Sequence, residues 1–122
     1  MIINCMPHDV SIYRGSDCSY IDRKFYLRED MDLQPFITYP AAAGPARATF
    51  VQTYAGMADG ILVFQWVPEE VVNLPEPKPG TYYIVSKMVA QACPEREDLI
   101  FPGTLVRDTD NNIVGCIDFS RV

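Results

Sequence analysis

The chain has 122 residues, ten of them proline, with 48% apolar and 21% charged residues and a net charge of −6. That length suffices for one domain with a core of its own, and the apolar share argues against global disorder. The acidic balance repels phosphate backbones at long range and speaks against a double-stranded nucleic-acid partner, while the proline content favours short strands and turns over long helices.

Residues 2–5 and 10–14 read as two short strands joined by the turn Met6-Pro7-His8-Asp9, where Pro7 fixes one dihedral and Asp9 can bond its own backbone. Gly15-Ser16-Asp17 makes a second turn. Residues 20–28 alternate, with Ile21, Arg23, Phe25 and Leu27 against Asp22, Lys24, Tyr26 and Arg28, and predict one strand with a wetter face. The acidic run 29–32 reads as a loop. Residues 36–39 form a short β candidate between Pro35 and Pro40, and residues 46–54 alternate again. Gly56 and the tight-turn pair Asp59-Gly60 connect to a strongly apolar strand at 61–67 that ends at Pro68. Residues 69–73 suit either a helical turn or an extended edge.

Leu74-Pro75-Glu76-Pro77-Lys78-Pro79-Gly80 places a proline at every second position, which holds the backbone near polyproline II and removes amide donors. It is a stiff spacer delivering the chain to a strand at 81–85. Ser86 then caps a short helix at 87–93, with Met88, Val89 and Ala92 on one face and Pro94 beyond its end. Residues 94–98 suit a short turn of helix or a loop. The chain finishes as a hairpin, 104–107 with 113–119, around Asp108-Thr109-Asp110-Asn111-Asn112. The expected fold is a single mainly β (α+β) domain, an antiparallel sandwich or partly open barrel with one short helix.

The opening residues lack the basic and apolar regions of a signal peptide, and no apolar run is long enough to cross a bilayer. The expectation is a soluble, cytoplasmic protein with no membrane partner. Cys5, Cys18, Cys93 and Cys116 show no C-x-x-C spacing and read as free, mostly buried thiols. With a single histidine and no paired ligand spacing, no zinc site is expected.

His8, in its Pro-His-Asp turn, is either a general base oriented by Asp9 or a residue that ties down backbone, and the second reading is preferred. No activated nucleophile, H-E-x-x-H pair or phosphate-cradling glycine loop is present, so catalysis is not the expectation and no cofactor is implied. Asp108, Asp110 and Asn112 mimic the start of a calcium loop but lack its glycine and distal glutamate, which leaves turn chemistry. Lys24, Tyr26 and Arg28 form a basic-aromatic face, read by default as a charged edge strand. Arg47, Ser86, Lys87 and Arg107 are candidate contacts for an anion, with Tyr82 or Tyr83 available to stack on a base.

Asn4-Cys5-Met6-Pro7-His8, Leu74-Pro75-Glu76-Pro77, Tyr83-Ile84-Val85-Ser86, Val106-Arg107-Asp108 and Ile113-Val114-Gly115-Cys116 together carry a resemblance. They are similar to a family of short bacteriophage and prophage proteins that opens with Asn-Leu-Thr-Pro-His, continues with Leu-Pro-x-Pro and Tyr-Ile-Val-Ser, and closes with Val-Arg-Asp and Ile-x-Gly-Cys. Cys5-Met6 departs from the Leu-Thr of that pattern, and residues 15–70 lie outside it. The resemblance implies a viral or prophage origin and a setting in the host cytoplasm. The function expected is binding, in its most concrete form counter-defence sequestration of a small anionic nucleotide signal by Arg47, Ser86, Lys87 and Arg107. The alternative is a structural or protein-interaction module, for virion assembly or inhibition of a host protein, in which strand edges dock a partner and self-association is open.

Overall fold

A computed structural model describes residues 1–28 and 34–122. The acidic loop expected at 29–32 lies outside the described residues. The chain runs through β1 (Ile2–Asn4), β2 (Val10–Ile12), a 3-10 turn (Gly15–Asp17), β3 (Cys18–Ile21), β4 (Lys24–Leu27) and β5 (Ile37–Tyr39). It continues through β6 (Arg47–Ala58), β7 (Ile61–Val72), β8 (Tyr82–Ile84), α1 (Lys87–Ala92) and β9 (Leu99–Pro102). β10 (Leu105–Arg107), β11 (Ile113–Cys116) and β12 (Phe119–Ser120) complete it. The expected mainly β domain with one short helix is what the chain forms, and its sheets are mixed rather than closed into a barrel.

One sheet has the order β1-β8-β9-β12, with β8 parallel to both neighbours. A parallel strand covered on both faces reads as an unbroken apolar run. Tyr83, Ile84 and Val85 are accordingly at most 1% exposed. Tyr83 and Val85 pack with Val89, Ala90 and Leu99 in one core cluster, whereas Ile84 points the other way, to Val10 and Cys116. α1 bridges the parallel pair β8 and β9, and Ser86 starts it as expected, its Oγ accepting from the Val89 amide at 3.2 Å. The spacer enters no strand, and its carbonyls are anchored: Tyr83 Oη donates to Glu76 at 3.1 Å and Arg96 Nη2 to Pro75 at 2.9 Å.

The second sheet has the order β3-β4-β10-β11-β2-β5, with β10 parallel to β4 and β11 parallel to β2. Here one expectation is corrected. Residues 20–28 are not one strand but the hairpin β3–β4, reversed at Asp22-Arg23, whose φ values of 50° and 66° give the left-handed two-residue turn. Paired residues share a face, and Ile21 pairs with Lys24 and Tyr20 with Phe25, so the two-residue turn exchanges odd and even positions and the single face expected for Ile21, Phe25 and Leu27 is divided between the two sides of the sheet. β4 is therefore an interior strand, and its Tyr26 hydroxyl donates to Asn111 Oδ1 at 3.4 Å.

Among the described residues β6 and β7 pair only with each other. Each is 12 residues long, well beyond the expected segments 46–54 and 61–67. Asp59-Gly60 makes the expected turn, with φ of 51° and 79°. Residues 69–72 extend the strand rather than form a helical turn, and Pro68 lies at a register shift instead of ending it. A proline is tolerated there because a two-stranded ribbon has a free outer edge to take the missing N–H.

Candidate functional site

The β1–β2 turn, which holds the only histidine, is built around Asn4. Its Nδ2 donates to the carbonyls of His8 (3.0 Å) and Tyr39 (3.1 Å), and its Oδ1 accepts from the Met6 amide at 2.9 Å. Asp9 Oδ1 accepts from the Ala41 amide at 2.8 Å, while the exposed His8 ring meets the Asp9 carbonyl at 2.9 Å. Asp9 thus organises backbone and does not orient the imidazole. Beside this turn lies a cavity of about 270 Å³, lined in part by His8, Leu105, Val114 and Cys116. Among the described residues no hydrogen bond joins His8 to Cys116, and burial pushes that thiol up to about 11. Imidazole and thiol are therefore not hydrogen-bonded among the described residues, and the Cys116 thiol stays protonated at neutral pH.

The four candidate anion contacts occupy separate places. Arg47 opens β6 and is exposed, Ser86 holds its hydroxyl on the Val89 amide, and Lys87 is exposed at the first position of a six-residue helix. Arg107 lies on β10 in the other sheet, where its Nη1 donates to the Asn111 carbonyl at 3.1 Å. Among the described residues no hydrogen bond links any two of them, and none lines the cavities beside His8, beneath Trp66 or around Tyr82. Tyr83, offered for stacking, is buried in the core; Tyr82 is half exposed. Asp108 Oδ1 accepts from the amides of Asp110 and Asn112, both at 2.9 Å, which is the turn chemistry expected there.

What the sequence reading missed as a site is the outer part of the β6–β7 hairpin. Opposed residues of an antiparallel pair share a face, and alternate residues along a strand share it too. Gln52 opposes Trp66, Tyr54 opposes Phe64 and Met57 opposes Leu62, so these six side chains lie together. Followed down β6, the same face contains Phe50 and then Ala48, which packs against the core with its partner Val71. At its base the face is core; beyond Phe50 it is bare. Tyr54, Phe64 and Trp66 are 60%, 51% and 63% exposed, and Met57 and Leu62 are similarly open. A cavity of about 500 Å³ marks the transition, between Phe50 and Trp66 of the arm and Met88 and Gln91 of the helix. From Val51 to Val67 the only charge is Asp59, at the tip. The signal was available in sequence as two uncharged strands around Asp-Gly, but their lack of cover was not.

Among the described residues no helix is long and apolar enough to cross a membrane. Comparison of the chain with protein-family models, with curated proteins and with solved structures yields no match.

Proposed function

We propose that this chain is a binding protein rather than an enzyme, and that it docks a protein partner through the β6–β7 arm. The observation that carries this reading is the continuity of one hairpin face, which is core at Ala48 and Val71 and solvent-exposed at Tyr54, Phe64 and Trp66. Exposed apolar surface of that extent, grouped on one element, marks an interaction site. An isolated two-stranded ribbon is also marginal in water, so contact with a partner stabilises the arm as well as the complex. Among the described residues no hydrogen bond joins any two of Arg47, Ser86, Lys87 and Arg107, and none of them lines the three cavities described above, which ranks a small anionic nucleotide below a protein as ligand. In the phage or prophage setting that the sequence resemblance implies, the arm serves an accessory role in the host cytoplasm, in assembly or in blocking a host protein.

The test is a shortened protein in which residues 52–66 are replaced by Asn-Gly, closing the hairpin at the Val51–Val67 pair. It is expected to melt as the intact chain does and to lose the stoichiometric protein partner that the intact chain retains. A shortened protein that keeps every interaction of the intact one overturns the reading.

A further inference from the structure

We propose that the arm's partner is a second copy of this chain, with the Tyr54–Phe64–Trp66 face of one hairpin stacked on the same face of the other. The inference rests on reading the arm as an interaction element and names what covers it.

Three properties of the face fit a copy of itself. The first is area. Its five large apolar side chains leave on the order of 700 Å² exposed, close to the roughly 800 Å² that each partner contributes to a standard interface. The second is charge. The chain carries −6, yet no carboxylate lies on this face, and Asp59 sits at the tip of the hairpin. Two copies therefore meet here without opposing like charges, whereas elsewhere their acidic surfaces repel. The third is polarity. Gln52 is the one side chain among the six without a large apolar group, and a carboxamide both donates and accepts, so it can pair with a copy of itself or with the Tyr54 hydroxyl across such a contact. Two flat apolar ribbons stacked about 10 Å apart make a small sandwich, with alternate side chains of both inner faces interlocking.

The opposite face of the arm is the internal control. Thr53 opposes Gln65 there, and both are exposed. Sedimentation equilibrium of the intact protein, Leu62→Lys and Gln65→Lys up to about 100 μM separates the two faces. The intact protein and Gln65→Lys are expected at twice the 13.8 kDa chain mass, and Leu62→Lys at the chain mass with association weakened at least about tenfold. Tyr54→Gln, which trims the same face without adding charge, is expected to weaken association in the same direction and stands in if Leu62→Lys does not fold. An intact protein monomeric throughout overturns the proposal, as does dissociation by Gln65→Lys with Leu62→Lys still paired. A monomer that captures a different protein only when the arm is present removes the self-association proposal and leaves the interaction reading standing.

Discussion

Tyr54 and Phe64 face one another across the β6–β7 ribbon with ring centroids 6.0 Å apart and planes at 64°, an edge-to-face pair outside the core. Such a pair contributes about 0.5–1.5 kcal/mol beyond area burial when it is enclosed, and here more than half of each side chain faces water. The pair fixes the ribbon's local geometry and presents an aromatic edge and face outward. It makes the arm a pre-formed surface, which limits the ordering cost of docking.

Asn4 accounts for the Asn-x-x-Pro-His pattern better than His8 does. It is only 8% exposed and holds three backbone groups. Asn4→Ala is expected to lower stability by about 2–3 kcal/mol, since it strands buried polar groups, and Asn4→Asp to fail as well because it loses both donated bonds. His8→Ala is expected to stay within about 0.5 kcal/mol of the parent, the ring being exposed. Urea unfolding of the three variants checks this.

Arg96 and Asp98 form a two-pronged ion pair, with Nε to Oδ1 and Nη2 to Oδ2 both at 2.8 Å, and Arg96 also holds the spacer through Pro75. The guanidinium hydrogen bond holds the Asp98 carboxyl below the ordinary carboxylate range. A carboxyl lowered on folding adds stability that is complete above its unfolded value near about 4 and is lost as pH falls through the folded value. Asp98→Asn is expected to cost about 1–3 kcal/mol at pH 7 and to flatten the decline in stability below about pH 4. The measurement is the urea midpoint as a function of pH.

All four cysteines are free, and burial raises the thiol values of Cys5, Cys18, Cys93 and Cys116 alike, Cys116 to about 11. Cys5 and Cys116 are buried, whereas Cys18 and Cys93 are partly open. A thiol reagent at pH 8 is expected to label Cys18 and Cys93 in the native protein, and Cys5 and Cys116 only on unfolding. Mass spectrometry of timed labelling reads the order.

Gly115 lies where β11 meets β2: a Cβ there would run into the Ser11 carbonyl and the Tyr13 ring. Both neighbours belong to packed strand and core, so neither yields freely. Gly115→Ala is expected to cost about 1–3 kcal/mol, whereas Gly44→Ala, with open space around it, is expected to be near neutral. Thermal melts compare the two.

The local features were legible in the sequence because local chemistry decides them: the Ser86 cap, the Asp59-Gly60 turn, the proline spacer and the apolar run around Ile84. The pairings were not, because a strand's partner is set by distant residues. Nothing at 2–4 announces that β1 runs parallel to β8, some eighty positions on. β9 also escaped, as four residues between an acidic turn and a glycine give too short a pattern to read. At 20–28 the alternation misled, because the positive φ of Asp22 and Arg23 folds the segment into a hairpin in which Ile21 shares a face with Lys24 and not with Phe25. The candidate anion contacts were chosen for their residue types, and tertiary packing distributed them over two sheets and a helix. The arm shows the converse: its strands were legible, and its exposure depends on what does not pack against it.

Trp66 is the only tryptophan in the chain and stands at the inner end of the face assigned to self-association, so its fluorescence reports whether that face is covered. On raising the protein concentration through the range of assembly, the emission is expected to shift from that of a water-exposed indole to shorter wavelength, with acrylamide quenching falling in step, and Leu62→Lys is expected to abolish the shift. Emission that stays that of an exposed indole at every concentration contradicts the account.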